Sequence, residues 1–166
     1  MAFPVPKPTM DTSDPMPTTN TFVRTSHCND LIDDTCKGTP KPVLCVSVLR
    51  ADPRSEGGDV NDFAFIMVGE VEVKASDAMQ QIGRLSKTKP VSDCRENYVV
   101  VVRDDIPQAE DAAKGGDAGK ATQLMNDVVG KADSCERGFH GRSLLTKWNN
   151  AVKDFASVAA ALSSKI

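Results

Sequence analysis

Aromatic residues are scarce in this chain: one Trp, one Tyr and six Phe make up 5% of its 166 residues. A β-sandwich core draws on aromatic and β-branched residues, so a core built from Ala, Val, Leu, Ile and Met suits close-packed helices better. Histidine is scarcer still, with only His27 and His140, and there is no C-x-x-C pair and no H-E-x-x-H segment. The common zinc sites are thereby excluded, and neither a metal nor a cofactor is expected. The G-x-S-x-G elbow of a serine hydrolase is absent too. No apolar run approaches the length of a membrane-spanning helix. Charge of one sign is also lacking, since 20 Lys and Arg face 23 Asp and Glu for a net −3. That balance gives no electrostatic reason to expect nucleic acid or an anionic membrane as partner. No N-x-S/T glycan acceptor occurs.

What is present is helical periodicity. Residues 1–20 hold five prolines and no apolar run, and read as a disordered Pro-rich leader or a cloning remnant. The folded domain is expected over 21–166, with a helical hairpin over 21–58 and a bundle over 59–166. In the hairpin, one short helix uses Phe22, Val23, Leu31 and Ile32. A second opens at Thr39-Pro40 and buries Val43, Leu44, Val46, Val48 and Leu49. Asp59 is positioned to cap the longest run, Val60 to Thr88, in which Val60, Ala64, Met67, Val71, Ala75, Ala78, Ile82 and Leu85 step by threes and fours until Pro90 stops it. The last helix carries Leu145, Trp148, Val152, Phe155, Ala159, Leu162 and Ile166 at the same spacing, with Trp148 in the core.

Between them lies the stretch that organises the rest. Val91, Cys94, Tyr98 and Val101 share one helix face, with Pro107 kinking or restarting that helix further on. Ala118, Ala121, Met125, Val128, Ala132, Cys135 and Phe139 share another. The β-branched run Tyr98 to Val102 leaves a short strand as the local alternative. Antiparallel helices joined at Gly115-Gly116-Asp117 bring Cys94 level with Cys135 at a disulfide separation. A Cys36–Cys45 bond would clip the two short helices, contributing roughly 2–3 kcal/mol. Cys28 is then the odd thiol: a buried free cysteine, a competitor for Cys36, or an intermolecular contact. Two disulfides imply an oxidising compartment. The expected architecture is all-α, an up-down-up-down four-helix bundle with an N-terminal α-helical hairpin.

Chemistry is harder to find. GGDAGKA has three residues, not four, between Gly115 and Gly119-Lys120, and Ala121 stands where a phosphate loop places Ser or Thr. The acidic pairs Asp33-Asp34, Asp104-Asp105 and Glu110-Asp111 read as solvated helix faces. A filled bundle lacks the cleft that paired catalytic carboxylates need. The chain reads as a binding protein without catalytic residues, not as an enzyme.

The segments FVRTS, CKGTPKPVLC, LRADPRS, GDVNDFAFIMVGEVEVKA, CRENY and SCERGF, in this order and spacing, resemble the plant invertase inhibitor and pectin methylesterase inhibitor family. The resemblance implies a secreted all-α inhibitor of the apoplast, cell wall or vacuole, with the pairings Cys36–Cys45 and Cys94–Cys135 and with Cys28 outside them. It implies as partner an acid invertase, blocked at its active site. A pectin methylesterase is the alternative target, and a non-inhibitory, allergen-like role a third. DFAFIMVGEVEVKA and NNAVKDFASVAAAL are similar to the invertase branch, whereas CRENY is shared with esterase inhibitors. Invertase inhibitors carry Pro-Lys-Phe in the turn where this chain has Ala118-Gly119-Lys120. Asp117, Ala118, Gly119 and Lys120 are therefore the candidate target-binding turn, with Lys120 placed to pair with carboxylates of the target.

Overall fold

The structure is a computed structural model that describes residues 31–166. The expectations for residues 1–20, for Phe22, Val23 and His27, and for Cys28 lie outside the described residues. Among the described residues there is no strand, and seven helices account for most of the chain. Helix α1 covers 31–37 and α2 covers Pro42–Ala51, followed by a 3-10 turn at Pro53–Ser55. Then come α3 (Val60–Arg84), α4 (Lys89–Val100), α5 (Ile106–Lys114), α6 (Ala118–Gly138) and α7 (Thr146–Ser163). A π-helical segment, Val101–Asp105, joins α4 to α5 without a break. The four rods α3, α4–α5, α6 and α7 form the bundle. α7 packs between α3 and α6, and the α4–α5 rod lies across from it against the same two neighbours.

Each rod follows its sequence pattern with local corrections. α3 buries Ala64, Met67, Val71, Ala75, Ala78 and Ile82, with Phe63, Ile66 and Val68 widening the stripe. Its start is a reciprocal capping box, in which Asp59 accepts from the Asp62 N–H at 3.1 Å and Asp62 accepts from the Asp59 N–H at 3.0 Å. The helix ends at Arg84 and not at Thr88. Pro90 does not stop it. Pro90 sits in the first turn of α4, where a missing N–H costs nothing. The same correction applies earlier: the second short helix begins at Pro42, not at Thr39-Pro40. Its Val43, expected to be buried, is 84% exposed.

The Tyr98–Val102 run is helical, but it is where the helix widens. Pro107 has no N–H to give the carbonyl four residues back, and the chain absorbs the loss just upstream: the Ile106 N–H reaches Val101 O, one residue further than in an α-helix. The segment turns Asp105 inward. Asp105 is 6% exposed and accepts from Lys131 Nζ on α6 at 2.7 Å, so Asp104-Asp105 is only half a solvated pair.

Two disulfides complete the frame. Cys36–Cys45 ties α1 to α2 with Cα atoms 5.6 Å apart, and Cys94–Cys135 ties α4 to α6 at 4.7 Å. The α1–α2 hairpin rests on the bundle through Lys165 Nζ, which donates to Thr35 O, and through the Lys41–Asp154 ion pair.

Candidate functional site

The turn between α5 and α6 is built from backbone requirements. Gly116 takes φ +74°, the left-handed region, and the Asp117 N–H returns to Ala112 O at 2.8 Å, closing α5. Asp117 then caps α6, its carboxylate accepting from the Lys120 N–H at 3.0 Å. The turn is thus fixed from both sides, and Gly119 and Lys120 are exposed on it. Lys120 has no ion pair among the described residues and no ring contact, whereas Lys114, at the end of α5, is held over an aromatic ring. Lys114 lies over the Phe65 ring at 4.2 Å, with Arg54 on the same ring at 5.7 Å. Beside the tip, Ala118, Gly119, Thr122, Asn126 and Ser164 line an open hollow between α6 and the end of α7. The four residues Asp117, Ala118, Gly119 and Lys120 are therefore brought together as one protruding loop end.

The charges around the turn set its electrostatics. Asp52 is held below the usual carboxylate range, chiefly by its hydrogen bonds with the Arg54 side chain. Burial pushes Glu110 above its usual range, with the Glu72 carboxylate adding to it. Asp111 and Asp117 flank the turn in sequence, interleaved with the cations Lys114 and Lys120.

At the other end of the bundle is a polar constellation that the sequence pattern did not reveal. Asn149, fully buried on α7, receives the Tyr98 hydroxyl on its Oδ1 at 2.8 Å and donates from Nδ2 to Glu136 at 2.7 Å. Glu136 also accepts from the Thr146 hydroxyl. Burial raises the Glu136 pKa, but the hydrogen bonds from Thr146, Asn149 and Ser143 outweigh it and leave the group below its ordinary range. Burial, with the Glu136 charge added, pushes the Tyr98 hydroxyl far up. Trp148, expected in the core, is instead half-buried with Lys147 at 5.8 Å from its ring. The signal for Asn149 was available: Leu145, Asn149, Val152, Ala156, Ala159 and Ser163 alternate four and three, and all are buried.

No group of three His, Cys, Asp or Glu among the described residues could hold a metal ion. No described helix is long and apolar enough to cross a membrane. Residues 30–162 match the family described as plant invertase/pectin methylesterase inhibitor, and the chain belongs to that family. It is a family of enzyme inhibitors, not of enzymes.

Among curated relatives, the cell wall/vacuolar inhibitor of fructosidase 1 of Arabidopsis thaliana is 29% identical over 137 residues, 80% of this chain and 67% of that protein. The pectinesterase inhibitor of Actinidia deliciosa is 28% identical over 120 residues, 68% of this chain and 64% of that protein. The chain thus spans about two thirds of these two relatives. A crystal structure of a mutant pectin methylesterase inhibitor from Arabidopsis superposes with a TM-score of 0.67 at 15% identity, covering 79% of this chain and 93% of that one, which establishes the shared fold.

Proposed function

We propose that this chain inhibits an acid invertase of the cell wall or vacuole by seating the α5–α6 turn in the enzyme's catalytic cleft. The observation that carries the reading is the turn itself: a doubly fixed, exposed tip whose Lys120 has no ion-pair partner of its own. A glycoside hydrolase cleft presents carboxylates, and a pre-positioned ammonium pairs with them at little entropic cost. The fructosidase inhibitor among the relatives supports the same target class. Inhibition should weaken as pH falls through the ionisation of the enzyme's carboxylates, because the pairing needs their charge.

The similarity to a pectinesterase inhibitor, at nearly the same identity over a shorter stretch, supports a second reading in which the exposed faces of α4 and α6 cap a pectin methylesterase. In a third, the bundle is kept without inhibitory activity, because the Pro-Lys-Phe turn is replaced by Ala118-Gly119-Lys120. Titrating the oxidised protein against one invertase and one pectin methylesterase at acidic pH separates the three. Loss of invertase activity alone, abolished by Lys120→Ala, is the expected result. Loss of esterase activity alone moves the site to the helix faces, and no effect on either enzyme at micromolar protein sinks both inhibitory readings. Ala118→Pro with Gly119→Lys and Lys120→Phe should strengthen invertase inhibition. Ala118 is the first helical residue, where Pro is tolerated, and a Cβ on Gly119 meets nothing closer than Asp117 Oδ1 at 3.8 Å.

A further inference from the structure

The end of the bundle opposite the turn carries a second surface with its own chemistry. There the α3–α4 and α6–α7 connections face each other across a hollow of about 300 Å³. Arg84, Thr88 and Val91 line one side and Phe139, Arg142 and Leu144 the other. Neither arginine has a carboxylate partner among the described residues; Arg84 makes only a 3.5 Å bond to Gln81 Oε1. Of the carboxylates on the adjoining segments, Asp93 pairs with Lys89, Asp133 with Lys153, and Glu136 serves the Asn149 network, while Glu96 on α4 is exposed near Lys89 without an ion pair among the described residues. Lys87, on the same connection, is exposed and without an ion pair among the described residues. A chain of net charge −3 therefore has three cations, Arg84, Lys87 and Arg142, without ion pairs among the described residues at this end.

The hollow is also partly apolar. Val91 forms a buried floor at 5% exposure, Phe139 is half-buried, and Leu144 stands on the rim at 70% exposure. Ser86 and Thr88 interrupt that rim with hydroxyls, and the Thr88 side chain is not used to cap α4. A lipid surface favours an unbroken apolar rim. Cations, hydroxyls and small apolar areas alternating within one hollow fit a ring that carries a carboxylate, several hydroxyls and C–H faces.

We propose that this hollow binds a uronic acid unit of an acidic polysaccharide. Arg84 and Arg142 pair with the carboxylate, Thr88 meets a ring hydroxyl, and Phe139 and Leu144 cover the C–H face. Such a site would hold the protein on a polyanionic matrix while the turn, at the opposite end, stays free. It is independent of which enzyme the turn engages.

The test uses the full oxidised chain and polygalacturonate as probe, with neutral dextran and anionic phospholipid vesicles in parallel, followed by calorimetry or co-sedimentation at low salt. Binding to polygalacturonate, not to dextran, is expected, weakening steeply as salt screens the pairing. Arg84→Glu with Arg142→Glu should reduce binding at least about tenfold, since it removes two charge-assisted hydrogen-bonding groups. Both residues are exposed, so the fold should persist, as far-UV circular dichroism would check. Leu144→Ser should give a smaller loss at unchanged charge, which separates a built site from a diffuse field. The charge-matched control Lys114→Glu with Lys120→Glu should retain binding. No binding to polygalacturonate, equal loss in the control, or binding to vesicles alone would each overturn the proposal.

Discussion

The helical hairpin made by α4–α5 and α6 is held in opposite ways at its two ends. Far from the turn it is cross-linked: Cys94 is bonded to Cys135, and Tyr98, Asn149, Glu136 and Thr146 form a connected polar network that also draws in α7. Towards the turn the buried residues of the two limbs are mostly small, Ala109, Ala112, Ala113 and Ala121 beside Ile106 and Met125, and carry no cross-link or buried polar network. The Asp105–Lys131 pair marks the boundary between the halves. A satisfied polar network fixes register, because any slip leaves buried donors and acceptors unpaired. An interface of mostly small apolar side chains tolerates small shifts better than a polar network does. The anchored half therefore supplies stability, and the turn obtains its shape from its own backbone and caps.

If that division is correct, damage to the two halves should differ in kind. Replacing Cys94 and Cys135 by Ala should cost the most, about 4 kcal/mol on the chain-entropy scale for a bond spanning 41 residues. The Cys36–Cys45 bond, spanning 9, should be worth about 2.6 kcal/mol on the same scale. Denaturant unfolding of the two double mutants checks the order, and an equal loss would break the comparison. Asn149→Leu comes next, at about 2–3 kcal/mol, because it leaves the Tyr98 hydroxyl buried without a partner and takes one hydrogen bond from the partly exposed Glu136. Thermal unfolding measures it, and a loss below about 1 kcal/mol would mean the network is not what holds the far half.

How far these features could be read from the chain differs between the halves in the same way. The rods and both staples were legible, since apolar spacing and cysteine position are repeated, redundant signals. The turn was legible because Gly115-Gly116-Asp117 has few other conformations to serve. Helix ends are less legible at prolines: Pro90 reads as a stop and Thr39-Pro40 as a start, whereas Pro90 and Pro42 both sit in first turns, where the ring is harmless. The π segment was invisible, because Pro107 creates the need for it while residues 101–105 absorb it. Asn149 was passed over because Trp148 and Phe155 offered an apolar stripe one residue away. A buried amide becomes visible only when the Tyr98 hydroxyl is asked for a partner.

Acid should also separate the halves, with a smaller effect. Glu136 titrates below its ordinary range in the folded protein, so the native state binds fewer protons than the unfolded chain there. Its contribution is present above the ordinary carboxylate pKa and is lost as pH falls through the depressed one. Glu110, whose pKa is raised, has the opposite sign: its ionisation destabilises, and that cost is relieved on acidification. Glu136→Gln should therefore flatten the fall in melting temperature between neutral and strongly acidic pH, and Glu110→Gln should steepen it. Identical profiles for both variants would remove the electrostatic part of the comparison.

The smallest effect on stability belongs to the turn, and it is the most informative about function. Asp117→Ala removes the side-chain cap on the Lys120 N–H, at about 1 kcal/mol or less. The far half does not depend on this cap, so the loss should appear as faster amide exchange at Gly119 and Lys120, with the protection of α4 and of residues 128–138 unchanged. Lys120→Ala makes the converse change: it leaves the cap and the exchange rates intact and deletes only the charge. If invertase is the target, Lys120→Ala should abolish inhibition through lost pairing, whereas Asp117→Ala should weaken it several-fold by loosening a tip that must be pre-shaped to enter a cleft. Inhibition undiminished in both variants would show that the turn is not the inhibitory surface, however well it is built.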